Sequence, residues 1–331
     1  MATLTSLNPT LIDVAKRTDP DGKIDKIVEL LAETNEVLDD MTFLEGNLPT
    51  GHRTTIRSGL PSATWRRLNY GVQPSKSTTV QVTDSCGMLE AYAEVDKALA
   101  DLNGNSAEFR LSEDRAFIES MNISMSDTLF YGDTGTDPEK FMGLTPRFSS
   151  SSAENGQNIL TGGGSAGQTD TQSIWLVVWG PNTVHGIYPK GSQAGLQHRD
   201  LGEVTLMDSA SPAGRYQGYR THYKWDIGLT VRDWRYIVRV RNIDLSDLVI
   251  GAGSGANLVD LMVQAAEIPP NLSLGRAVFY CSRTIRAWLR RQILAKSNVN
   301  LTFDTVAGKR VLAFDGIPVK RCDSLVNETA V

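Results

Sequence analysis

Two short strings in this chain have the residue types and spacing that chemistry needs. Gly163, Ser165 and Gly167 fit G-x-S-x-G, the turn that exposes a serine nucleophile between a preceding strand and a following helix. Here Gln157 and Asn158 lie upstream and Gln168 to Thr171 downstream, within a polar, glycine-rich stretch, so Ser165 is expected in a plain loop. Gly251, Gly253 and Ala256 form G-x-G-x-x-A ahead of a predicted helix, an arrangement that can seat a pyrophosphate on the helix N-terminus. Residues 242–247 before it are turn-like and no βαβ alternation surrounds it. Asp260 and Glu267 also come too early for a ribose contact expected about 20 residues on. A glycine-rich connector is the expectation; a nucleotide-dependent enzyme using 251–256 is the alternative.

Metal chemistry has little to build from. The cysteines (Cys86, Cys281, Cys322) and histidines (His52, His185, His198, His222) are scattered, with no Cys-x-x-Cys or His-Glu-x-x-His spacing for a tetrahedral zinc site. An odd number of widely spaced cysteines argues against a disulfide framework and for synthesis in a reducing cytoplasm. No spacing singles out a carboxylate pair. The expectation is therefore no catalytic, cofactor-binding or metal-ligating residue, no cofactor, and a protein that is not an enzyme.

The chain has 331 residues, 40% hydrophobic and 21% charged, enough for a large core in two or three domains. A net charge of −5 gives no global basic excess to attract nucleic acid. No window approaches the ~20 apolar residues that span a bilayer, and the N-terminus lacks the order of a signal peptide, so no membrane partner is expected.

The elements read as α+β. Residues 1–22 are a polar arm, and Ile24, Ile27, Val28, Leu31 and Leu38 mark an amphipathic helix over 23–40. Strand-like runs follow at 53–57, 63–70 and 78–83, separated by glycine and proline. They are polar on both sides and rich in arginine, which suits an extended hairpin with little core of its own. Unpaired strand edges recruit other chains, and a subunit built to associate can use that property.

Met88, Leu89, Tyr92, Val95, Leu99 and Leu102 predict a helix over 86–102. A longer one is predicted from Ser112, an N-cap followed by Glu113 and Asp114. Its stripe is Phe117, Ile118, Met121, Met125, Leu129 and Phe130, and it exits at Gly132. Residues 149–173 read as an exposed loop, and the apolar run 174–179 as a buried strand. Strands are predicted at 184–189, 203–207, 224–231 and 234–242, and a helix at 257–267. A basic helix is predicted over 276–296, with Ile285, Trp288, Leu289 and Ile293 inward and Arg283, Arg286, Arg290, Arg291 and Lys296 on other faces. A closing hairpin spans 299–305 and 309–321, interrupted by Asp315 and Gly316.

This order resembles the major capsid protein of tailed bacteriophages, with the Hong Kong 97-type (Johnson) fold. The resemblance is carried by residues 31–40, 59–71 (Gly59, Leu60, Pro61, with Trp65, Arg66 and Arg67), 130–133 leading to 141–144, 225–244 and 316–323. It implies an N-terminal arm and helix at 1–45 and an extended loop at 46–85 reaching over a neighbouring subunit. It implies a peripheral domain at 86–145 whose spine helix is 106–131, an axial domain at 146–300, and a closing hairpin at 301–331 that returns to the peripheral domain. The implied function is self-assembly into hexamers and pentamers of an icosahedral shell around a double-stranded DNA genome, in the virion, after synthesis in the bacterial host cytoplasm. Expected partners are further copies, a portal, a scaffold, a cementing protein and the packaged DNA, bound non-specifically. A cellular nanocompartment shell is the alternative within this fold.

Some related shells form a Lys–Asn cross-link. Lys76 lies in the extended segment, but no partner asparagine or catalytic carboxylate can be matched, so that chemistry is not carried over. Arg53, Arg57, Arg66 and Arg67 are candidate intersubunit contacts, because guanidinium forks suit carboxylates and aromatics alike; the alternative is edge charges that block aggregation. Arg283, Arg286, Arg290 and Arg291 are candidate DNA-facing residues making sequence-blind phosphate contacts; the alternative is a solvated helix face.

Overall fold

A computed structural model describes residues 9, 33, 35–102, 106–207, 214–248, 257–294, 301–306 and 309–330. In chain order the elements begin with α1 (Val37–Asp40), β1 (Phe43–Glu45), β2 (Gly51–Gly59), β3 (Thr78–Asp96), α2 (Lys97–Ala100) and α3 (Ser106–Tyr131). They continue with α4 (Leu144–Arg147), β4 (Ile159–Thr161), β5 (Thr171–Trp179), β6 (Val184–Tyr188), β7 (Gln197–Met207) and β8 (Arg215–Val231). The last are β9 (Ile237–Asp244), α5 (Leu258–Glu267), β10 (Arg276–Cys281), α6 (Arg283–Leu294), β11 (Leu301–Val306), β12 (Lys309–Phe314) and β13 (Ile317–Arg321). The chain forms two compact units. One is built from described residues within 88–125 and 195–226, the other from those within 35–87, 126–194 and 227–330. The predicted helix over 23–40 lies outside the described residues except for its last part, where α1 is found.

In the larger unit every residue of β5 is buried, as its unbroken apolar run requires. It pairs antiparallel with β10 on one side and β9 on the other. From β10 the sheet continues through parallel β13 to antiparallel β12 and β11. The β12–β13 turn is Asp315-Gly316, both at positive φ (49° and 76°), the two-residue geometry whose twist matches a hairpin. Helices α5 and α6 cover one face. Leu258, Met262 and Ala265 of α5 and Ile285 and Leu289 of α6 pack with Leu176, Val238, Phe279 and Val319. Asn257 caps α5 by accepting from the Asp260 N–H at 3.4 Å.

In the smaller unit β7 pairs antiparallel with the first part of β8, and α3 supplies the apolar cover. Phe109 joins Val95 and Ala100, while Met121 joins Ala93 and Tyr223.

Several expectations change. Residues 86–96 are strand, not helix, and only Lys97–Ala100 turn helical. Leu89, Ala91, Ala93 and Val95 alternate with Met88, Glu90, Tyr92 and Glu94, so the segment carries both periods, and packing against Phe117 and Met121 selects the two-residue one. Helix α3 starts at Ser106 rather than Ser112, and Ile118 of its expected stripe is exposed. Gly132 is needed for close approach rather than for a left-handed exit: a Cβ there would lie 2.5 Å from the Phe141 carbonyl oxygen. The basic helix starts at Arg283. Residues 276–281 are β10, because their continuous apolar run, from Ala277 to Cys281, fills the place beside β5. Residues 63–70 form no strand.

Candidate intersubunit interface

Between β2 and the first part of β3 the larger unit extends a two-stranded arm. The ladder runs from Gly51 opposite Ser85 to Gly59 opposite Thr78, with an irregularity between Arg57 and Gly59. Nine residues at the strand rise make β2 about 30 Å long. Every residue from Leu60 to Gln81 is exposed. The two strands therefore have ladder hydrogen bonds but almost no core, and a hairpin of that kind is at best marginal alone in water.

The arm's tip is apolar where an isolated surface would be polar. Trp65 is 103% exposed, Leu68 89% and Leu60 81%, with Tyr70 and Val72 also exposed. A turn closes from the Tyr70 N–H to the Arg67 carbonyl at 3.3 Å, around Asn69 at φ 67°, a conformation asparagine tolerates better than most residues. Burying one such aromatic side chain contributes about 1.5–3 kcal/mol, a gain that the single subunit does not make at this tip.

The base of the arm is fastened by polar contacts. The Asn47 side chain accepts from the Arg53 N–H at 2.7 Å and donates to the Arg53 carbonyl at 2.8 Å. Asp84 is buried and takes a 2.8 Å ion pair from Arg147, whose guanidinium also donates to the Met142 and Leu229 carbonyls. Gly51 sits so close to β3 that a Cβ would fall 2.0 Å from the Asp84 carbonyl oxygen.

All four candidate arginines of the arm are exposed. Arg53 donates through Nε to Thr83 Oγ1 across the ladder at 3.3 Å. Arg57, Arg66 and Arg67 have no ion pair with another described residue, and Lys76 is exposed at the tip. On α6, Arg283, Arg290 and Arg291 are exposed, and Arg291 lies over the Trp288 ring at 5.2 Å. Arg286 is half-buried and pairs with Glu36 at 3.4 Å, which ties it to its own chain. Side chains of α6 beyond Arg291, and residues 295–300, lie outside the described set, as does the glycine string 251–256.

Ser165 lies in a loop: β4 precedes it, but a turn and then β5 follow, with no helix to form an elbow. Its N–H donates to Gln168 Oε1 at 3.2 Å. No group of three or more potential metal ligands occurs among the described residues. Sequence reasoning chose the arm's arginines and passed over Leu60, Trp65, Leu68 and Tyr70. Their signal was large apolar residues in a segment bounded by Gly59 and Gly71 with no periodicity to bury them.

Comparison with known proteins identifies the family. The family model described as "Major capsid protein GP7" matches residues 19–331. A chain in the cryo-EM structure of bacteriophage epsilon15 is 39% identical, with a TM-score of 0.80 over 100% of this chain and 99% of that one. Two further likenesses are weaker. The capsid of a native GTA particle is 12% identical, TM-score 0.45, over 71% of this chain and 99% of that one. The SrpI encapsulin of Synechococcus elongatus PCC 7942 is 13% identical, TM-score 0.44, over 71% and 97%. No curated protein sequence matches.

Proposed function

This chain belongs to the major capsid protein GP7 family, and from that premise we propose how its parts build a shell. It is a major capsid protein of a tailed phage, with the Hong Kong 97-type fold. Copies associate as hexamers and pentamers of an icosahedral shell, and the arm of each subunit lies on a neighbour. The observation that carries this reading is the arm's tip, where Leu60, Trp65 and Leu68 are almost wholly exposed. Such exposure is costly in a lone subunit and favourable once a second copy covers it. Arg57, Arg66 and Arg67 flank those residues and supply guanidinium forks for a neighbour's carboxylates, which sets register more than affinity. Many modest contacts then sum over a closed shell.

In this reading α3 is the spine helix of the peripheral domain, 46–85 the extended loop and 146–300 the axial domain. The exposed Arg283, Arg290 and Arg291 face packaged double-stranded DNA, bound through phosphates without base readout. A portal, an internal scaffold and an outer cementing protein complete the set of partners. Synthesis takes place in the host cytoplasm, and the subunit does no catalysis.

Electron microscopy of the expressed full chain, with scaffold supplied if needed, tests this reading. Closed particles are expected from the natural sequence. Replacing residues 60–77 by a short glycine-containing turn is expected to leave a folded subunit that forms none. A chain that stays monomeric beside its scaffold and portal would falsify the assignment of the arm.

A further inference from the structure

His52 stands where the arm joins the larger unit, and both of its ring nitrogens face donors. The Asn47 backbone N–H points at Nδ1 at 3.3 Å, and Arg232 Nη2 lies 3.2 Å from Nε2. A backbone amide and a guanidinium can only donate, while a neutral imidazole has a single acceptor nitrogen. A neutral ring therefore satisfies one of the two contacts. An imidazolium, with N–H at both positions, satisfies neither.

The surroundings give a second cation little support. His185 comes from β6, fully buried, with its ring centroid 6.0 Å from that of His52. Arg232 follows β8. Asp84, opposite His52 across the ladder, is the carboxylate that faces it, but Arg147 of α4 already holds Asp84 at 2.8 Å. Burial first, and the Arg232 charge second, keep the His52 ring below its ordinary titration range against the opposing pull of Asp84.

What His52 holds gives this contact its consequence. Asn47, which His52 accepts from, is the residue whose side chain clamps both backbone groups of Arg53, near the start of the arm's first strand. We propose that His52 is an acid-released catch for the arm: its neutral ring fixes Asn47, and through Asn47 the strand β2, while protonation lets both go. Acid would then loosen the arm at its root and leave the β5–β9–β10 core intact. This holds for the lone subunit, whatever surface the arm docks on.

Hydrogen exchange read by mass spectrometry on the full-length subunit tests it, from about pH 7.5 down to about 4.5, with labelling times scaled for intrinsic exchange. In the natural chain, peptides covering residues 47–57 are expected to gain about tenfold in exchange rate at the acid end beyond whatever β5 peptides gain through the global loss of stability. His52→Gln keeps an acceptor oxygen and cannot gain a proton, so its 47–57 peptides should lose no more protection with acid than its β5 peptides do. Arg232→Gln removes the cation that opposes protonation, so release should move to higher pH. Level protection of 47–57 in the natural chain overturns the proposal even if neither variant folds. So does an equal loss in His52→Gln, an unmoved midpoint in Arg232→Gln, or a parallel loss in β5.

Discussion

Arg239 on β9 and Glu328 near the C-terminus form an ion pair at 2.7 Å, with side chains only 7% and 11% exposed. Further contacts support the pair. Arg239 donates to the Phe148 carbonyl and lies over the Trp175 ring, and Ser173 donates to the same carboxylate. The backbone of Glu328 pairs with Thr171, the first residue of β5. The segment around Glu328 is thereby fixed to the end of a wholly buried strand. Removing one partner would leave a buried charge uncompensated, which costs about 3–5 kcal/mol. Glu328→Ala should lower the urea midpoint of the subunit accordingly; a shift as small as that of a surface substitution would show the pair is not buried in solution.

Trp65→Ala and Leu68→Ala remove side chains that touch almost nothing in the subunit. Their effect on subunit stability should stay within about 0.5 kcal/mol. Assembly should suffer much more, by about 2 kcal/mol per contact if either residue is an anchor of the interface. Sedimentation velocity on assembling mixtures separates the two effects, and unimpaired shells from the double variant would remove the tip from the interface.

Arg290→Gln and Arg291→Gln should weaken binding of the full chain to non-specific duplex DNA. Each should lower the slope of log affinity against log salt by about one. Arg286→Gln should change that slope little, because Arg286 is engaged by Glu36. Equal salt slopes for all three variants and the natural chain would return α6 to a solvated face.

His185 is fully buried, and burial, with Arg232 and His52 beside it, lowers its titration from 6.5 to about 4. The unfolded chain therefore binds this proton first on acidification. The stability contribution is complete above pH 6.5 and is lost as pH falls through about 4. At full loss it is about 3 kcal/mol. Urea unfolding across that window should show the decline, and His185→Gln should flatten it; an unchanged slope in the variant would assign the acid sensitivity elsewhere.

Cys281 has no exposed surface, and burial pushes its thiol up to about 12. With almost no thiolate at neutral pH it should resist alkylation in the native subunit. Mass-mapped iodoacetamide labelling should modify Cys281 only after denaturant is added. Native labelling would place that edge of the β10–α6 core in contact with solvent.

Local pattern was sufficient for some elements and not for others. The run 174–179 is too uniformly apolar to be anything but buried, and Met121, Met125 and Leu129 of α3's stripe recur every fourth residue and are buried. Asp315-Gly316 marks its hairpin because few other pairs accept two positive φ angles. The polar flanks of Ser165 likewise pointed to a plain loop, where the structure places it. Where two periods fit the same residues, as at 86–96, only packing against Phe117 and Met121 could choose between helix and strand. Residues 276–281 became β10 because β5 and β13 leave a place between them, a vacancy created by strands about 100 residues upstream and 40 downstream.

Sequence alone was enough for an α+β chain with an extended, arginine-bearing segment. These follow from residue types and short-range periodicity, which no distant partner can alter. Tertiary structure decided which residues the arm presents, that Arg286 is engaged by Glu36, and that His52 sits between Asn47 and Arg232. Each depends on groups far apart in the chain meeting within hydrogen-bond range or failing to meet, and local sequence does not encode that distance.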